Sequence, residues 1–172
     1  MTEPTDATHR RGPDGWERPW PAVLPLADLL DRQAQLTPER TLLVLPDDRV
    51  TYGRMAELAA FYGRAMVGLG VRPGDTVGIL LPTVADFVAI MFGALKVGAV
   101  PVLMNARFKA RELRHVVTNG DLTVVFTATS VADAVDFPAL LGDAFPQLDD
   151  DADGSLALED APKLRHVVLV DD

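Results

Sequence analysis

The chain has 172 residues, 48% of them apolar, and carries 25 acidic against 16 basic side chains for a net charge of −9. That length suits one domain or part of a larger one, burying roughly 70% of its unfolded surface, so a packed core is expected and wholesale disorder is excluded. The negative balance argues against phosphate-backbone binding, so nucleic acid is not an expected partner. The lack of cysteine removes disulfides, thiolate nucleophiles and Cys-based metal sites, and a reducing, cytoplasmic setting is the expectation.

Residues 1–20 contain Arg10 and Arg11 with no apolar run behind them, which excludes a signal peptide and predicts a mobile tail. Residues 21–172 read as one α/β unit. Two β-type runs at 41–45 and 49–52 flank Pro46, Asp47 and Asp48 and predict an antiparallel hairpin. Over residues 52–69 the apolar positions Met55, Leu58, Ala59, Tyr62, Met66 and Leu69 have helical spacing, with Gly70 as the cap. The tight turn 71–75 leads into the apolar run 76–81, which shows no alternation, as expected of a strand buried on both faces.

Pro82 ends that strand, Thr83 is expected to cap the next helix, and Gly98 stops the helix before a strand at 99–104. Asp86, Lys96, Pro82 and Pro101 cut this apolar region into pieces shorter than the ~18 uncharged residues of a spanning helix, so no transmembrane segment is expected. A helix at 109–117, a strand at 122–126, a weaker helix or loop at 131–145, an acidic loop at 146–162 and a strand at 166–170 complete the order. Such alternation predicts right-handed βαβ crossovers: an α/β fold with a mostly parallel sheet and helices on both faces, preceded by a β-hairpin.

Ligands of open α/β sheets collect at the carboxyl ends of strands. Asn105 and Arg107 follow the strand at 99–104 and are therefore the candidate ligand-proximal residues, against the plainer reading of Asn105 as a turn former. Residues 149–160 approach a calcium-loop template, with Asp149, Asp151 and Asp153 at ligand spacing and Gly154 at the turn. The last position is Asp160 instead of Glu, however, and Pro146 and Pro162 interrupt the flanks, so a solvated acidic loop is the expectation and no metal ligand is assigned. The segment "GLGVRPG" (68–74) precedes a strand instead of joining strand to helix, which fits a helix cap and turn better than a phosphate loop. No P-loop or G-x-S-x-G nucleophile pattern occurs, and His9, His115 and His166 lack metal-type spacing, so no catalytic residue is assigned.

Four stretches, in order, resemble the N-terminal part of the adenylate-forming acyl-CoA synthetases, the AMP-dependent synthetases and ligases. "VTYGRM" resembles their first core motif, with Gly53, Arg54 and Met55 departing from its usual ending. "LGVRPGDTVGILLP" resembles the segment L-G-V-x-x-G-D-x-V-A-hydrophobic-hydrophobic-P, "LKVGAVPVLMNARF" the second core motif, and "ARELRHVV" the segment after it. The resemblance covers about residues 26–126 and is weaker beyond. Asn105 and Arg107, where amino-acid-activating relatives tend to carry Asp, lean toward the acyl-CoA branch.

The resemblance implies a partial AMP-binding N-terminal α/β subdomain at 21–172. It also implies a two-step reaction in the full-length family: a carboxylic acid attacks the ATP α-phosphate, and CoA thiol then takes the acyl group, with Mg²⁺ and fixed donors stabilising phosphoryl charge. The family's Ser/Thr/Gly-rich ATP loop ending in Lys and its lid lysine have no match here, so cofactor-binding residues are assigned to none, and the chain is expected to be inactive alone. The helix at 83–97 is apolar nearly all round, and the resemblance places part of its cover in later sequence. Self-association or a complementary chain is therefore expected.

Overall fold

The computed structural model describes residues 9–11, 17–19, 24–46, 48–131, 135–150, 156 and 158–170. Two short strands, β1 (His9–Arg11) and β2 (Glu17–Pro19), pair antiparallel within the stretch read as a tail, most of which lies outside the described residues. Helix α1 (Leu26–Leu36) buries Ala27 and Leu30. The sequence reading had no helix there. Strands β3 (Thr41–Val44) and β4 (Arg49–Thr51) form the expected antiparallel hairpin. Its second arm runs directly into α2 (Tyr52–Gly68), because the Thr51 side chain turns back to accept the Arg54 N–H at 3.2 Å and so satisfies one of the unpaired donors at the helix start. Gly53 belongs here for a spatial reason: an added Cβ would lie 3.3 Å from Pro38, whose carbonyl accepts the Gly53 N–H.

Helix α2 is capped by Leu69 and followed by Gly70 at φ 75°, a conformation glycine adopts without steric cost. The next turn is type II in its chemistry. Pro73 precedes Gly74 at φ 88°, and the Asp75 N–H returns to the Arg72 carbonyl at 3.0 Å. Strand β5 (Thr76–Leu80) follows, then α3 (Ala85–Lys96), β6 (Val100–Leu103), α4 (Ala110–Asn119) and β7 (Leu122–Thr127). A short pair, β8 (Ser130–Val131) and β9 (Val135–Asp136), precedes α5 (Phe137–Ala144), a 3₁₀ turn at Pro146–Asp150 and β10 (His166–Leu169).

The principal sheet is wholly parallel, in the order β6-β5-β7-β10. Alternate residues of its central strands feed two cores. On one face Val77, Ile79, Val124 and Phe126 pack with Met55, Met66 and Ile90 of α2 and α3; on the other Leu80, Leu122 and Val125 pack with Leu113, Leu141, Phe145 and Leu164. That is the predicted two-faced architecture. All six residues of β7 are buried, which explains why its sequence lacks alternation.

Two expectations require correction. Thr83 does not cap α3: the Val84 N–H bonds the Pro82 carbonyl in a tight turn, which delays the helix start to Ala85. Asp86 in the first turn instead places negative charge at the positive helix end and accepts the Tyr62 hydroxyl at 2.5 Å. Nor does α3 carry a bare apolar face. Helices α1 and α2 and the sheet cover it, and none of its large apolar side chains is among the exposed ones. The α2–α3 approach is close, since an added Cβ on Gly93 would sit 3.0 Å from the Ala59 carbonyl oxygen and the Gly63 nitrogen.

Candidate functional site

The chain leaves β5 through α3 to reach β6 on one side, then returns through α4 to β7 on the other side of β5. The topological switch therefore falls between β5 and β7, and the carboxyl ends of the strands form the rim where ligands of such sheets bind. At the β6 end the chain makes a compact turn. The Asn105 side-chain oxygen accepts the Arg107 N–H at 2.9 Å, and the Asn105 carbonyl accepts the Phe108 N–H at 3.0 Å. Asn105 thus acts as the turn former of the plainer reading, through its side-chain oxygen.

That turn delivers Ala106, Arg107, Phe108 and Lys109 to an open depression of about 540 Å³, bordered by Val135, Asp136, Ala139, Leu140 and Asp143. Arg107 lines the depression; Asn105 does not. Each side is held by a helix start. The Glu112 carboxylate accepts the Lys109 N–H at 2.9 Å to begin α4, and the Asp136 carboxylate accepts the Ala139 N–H at 2.9 Å to begin α5. The lining of the depression combines the half-buried side chains of Phe108, Val135 and Leu140 with the exposed cations Arg107 and Lys109 and the exposed carboxylates Asp136 and Asp143.

Sequence reasoning missed Thr127 at the carboxyl end of β7. It is fully buried, and its hydroxyl has no hydrogen-bond partner among the described residues. The available signal was a polar residue closing an otherwise apolar strand. The histidines are not gathered: His115 contacts Asn119 at 2.7 Å on α4, while His166 lies on β10. Among the described residues no group of three His, Asp or Glu side chains is placed to hold a metal. Half of the calcium-like stretch, including Asp151, Asp153 and Gly154, lies outside the described residues. Its last position, Asp160, is engaged by Arg114 at 3.0 Å. No described helix is long and apolar enough to cross a membrane.

Known proteins share this fold. A phosphinothricin tripeptide synthetase of Streptomyces viridochromogenes is 32% identical over 143 residues, which is 81% of this chain and 12% of that protein. A medium/long-chain-fatty-acid and 3-oxocholest-4-en-26-oate CoA ligase of Mycobacterium marinum is 30% identical over 113 residues, covering 66% of this chain and 20% of the ligase. Among solved structures, the anthranilate CoA ligase AuaEII with anthranoyl-AMP superposes with a TM-score of 0.70 at 26% identity, over 87% of this chain and 25% of that one. The N-terminal domain of FACL13 from Mycobacterium tuberculosis gives 0.66 at 25% identity, over 86% and 34%. The chain therefore spans about a third or less of the length of these relatives. The model of the AMP-binding enzyme family matches residues 30–171, and the chain belongs to that family of adenylate-forming ligases.

Proposed function

We propose that the chain supplies the first α/β layer of an AMP-dependent acyl-CoA synthetase: a scaffold and one wall of the acyl site for an enzyme that activates a carboxylic acid with ATP and Mg²⁺ and passes the acyl group to CoA. The observation that carries the reading is the family match over residues 30–171, which coincides with the part of the fold that forms the strand-end rim. Relatives named as CoA ligases and as a peptide synthetase both match, so the acid-activating step is the common ground. Asn105 in the β6–α4 turn favours the acyl-CoA branch. In this reading Asn105 shapes the turn and Arg107 is the ligand-proximal group, its cation facing the charged end of a bound molecule.

The chain alone is inactive in this reading, because the donors that stabilise phosphoryl charge come from segments it does not contain, and their removal costs orders of magnitude in rate. The setting is cytoplasmic, and the partner is a second copy or a complementary chain. A non-catalytic interaction module, or a split-synthetase subunit needing a second chain, is the alternative.

Pyrophosphate release from the purified chain, with ATP, Mg²⁺ and a panel of carboxylic acids, tests the reading. No acid-dependent release above a heat-killed control is expected. Release that requires both acid and ATP would overturn the assignment of catalysis to absent segments. A Ser/Thr/Gly-rich loop ending in Lys, in frame downstream in the gene, would decide for the ligase over the interaction module.

A further inference from the structure

The chain contains two asparagines, Asn105 and Asn119, and the second is followed by glycine. The carbonyl carbon of an asparagine side chain is an electrophile for the backbone nitrogen of the next residue, and a glycine there puts no Cβ in the path of attack. Asn119 is the last residue of α4, and its side chain is exposed. The fold needs glycine at position 120 for a separate reason: an added Cβ would lie 2.6 Å from the Val116 carbonyl oxygen and 3.2 Å from the Leu122 side chain. The packing that requires Gly120 therefore leaves Asn119 beside an unhindered nitrogen.

Three contacts restrain the pair. The Gly120 N–H donates to the Val116 carbonyl at 2.9 Å, which engages the nitrogen in the last helical bond of α4, and the Asp121 N–H donates to the Thr118 carbonyl at 3.2 Å. The Asn119 side-chain nitrogen lies 2.7 Å from Nδ1 of His115, one turn earlier, where it donates when that ring nitrogen is unprotonated. Attack on the side chain thus needs the last turn to open. Helix ends open at far lower cost than whole domains, and the last turn of α4 has no basic side chain to stabilise it. Beyond the pair the chain is anchored: the Asp121 carbonyl accepts the Thr76 hydroxyl at 2.6 Å, and the Asp121 carboxylate pairs with Lys163 at 2.8 Å. Opening is therefore confined to the helix end.

We propose that Asn119 is a site of spontaneous deamidation, gated by fraying of the last turn of α4. In the opened turn the Gly120 nitrogen gives its proton to solvent base and bonds to Cγ of Asn119. The Cγ–Nδ2 bond breaks and ammonia leaves, which closes a cyclic succinimide. Water then opens the ring at either carbonyl, giving aspartate or isoaspartate, the second with the main chain running through the former side chain. Water is the co-reactant, and nothing is oxidised or reduced. Either product sets a negative charge beside Asp121 at the carboxyl end of α4, where the helix dipole disfavours it. Isoaspartate also adds a methylene to a connection that has no slack at Gly120. The modified chain therefore holds α4 less firmly before β7. This concerns the lifetime of the chain and not acid activation, so the pyrophosphate assay and the test below fail independently.

The test is incubation of the purified chain at mildly alkaline pH, followed by peptide mapping with mass spectrometry that separates aspartate from isoaspartate. Both products should accumulate at position 119, with release of an equal amount of ammonia. Asn105 is the internal control: it precedes Ala106, its side-chain oxygen accepts the Arg107 N–H, and it should stay intact. The same chain unfolded in guanidinium is the reference and should react about tenfold faster or more, since the opened turn is a minor state of the folded chain. Asn119→Gln keeps a neutral amide on the exposed helix end and should abolish the ammonia release while leaving far-UV circular dichroism unchanged. An Asn119 that stays intact in the folded chain while the reference converts, a folded rate equal to the unfolded one, aspartate without isoaspartate, equal loss at Asn105, or ammonia release that persists in Asn119→Gln would each overturn the proposal.

Discussion

The two faces of the parallel sheet reach the same degree of burial by different means. The α2–α3 face is built from helices contiguous with their strands, and its defining contact is backbone against backbone, with Gly63 and Gly93 letting the helices approach. The α4–α5 face is assembled from separated pieces, including Leu158, Ala161 and Leu164 of the C-terminal segment. Those pieces are joined by one side chain. Arg114 donates through Nε to the Ala144 carbonyl at 2.7 Å, pairs with Asp160 at 3.0 Å and lies over the Phe145 ring at 5.7 Å from its centroid. Close packing needs only small residues and can be encoded locally; a face assembled from distant segments needs a long side chain with several donors, and Arg supplies them.

Three substitutions would break or sharpen that contrast. The largest effect is expected at Phe145→Ala, which empties a fully buried site under Arg114 and should cost about 3–5 kcal/mol of unfolding free energy. A urea midpoint close to that of the unmodified chain would mean that the α4–α5 face does not depend on this ring. Gly93→Ala comes next, at about 1–3 kcal/mol, since the added methyl meets backbone atoms that cannot rotate away. Should thermal denaturation show it to be neutral, the close helix approach would be a consequence of the packing and not its requirement. Asp160→Asn should be the mildest, within about 1 kcal/mol, because both partners are roughly half exposed. Its effect should shrink as salt rises, and a salt-independent loss would show that Asp160 does more than pair with Arg114.

The hairpin, the three strands β5, β6 and β7, and helices α2 to α4 were legible because their signals are local: apolar spacing, a glycine at each helix end, and the turn Pro73-Gly74. Helix α1 was missed although Leu26, Leu30 and Ala34 have helical spacing, since it carries no capping side chain to announce its start. The cap expected at Thr83 failed because a turn through Pro82 took precedence over side-chain capping. Arg107 was picked out as a candidate from its place after a strand, but the Val135, Asp136 and Leu140 that line the same depression come from a segment some thirty residues later that showed only weak periodicity.

The sequence by itself determined the βαβ order, the apolar centre and the family, because periodicity, turn chemistry and ordered motifs are carried by near neighbours in the chain. Only the tertiary structure decided the strand order, the covering of α3 by α1 and α2, and the placing of Arg107 and the start of α5 around one depression. Each of these depends on which distant segments meet, and a one-dimensional pattern does not carry that.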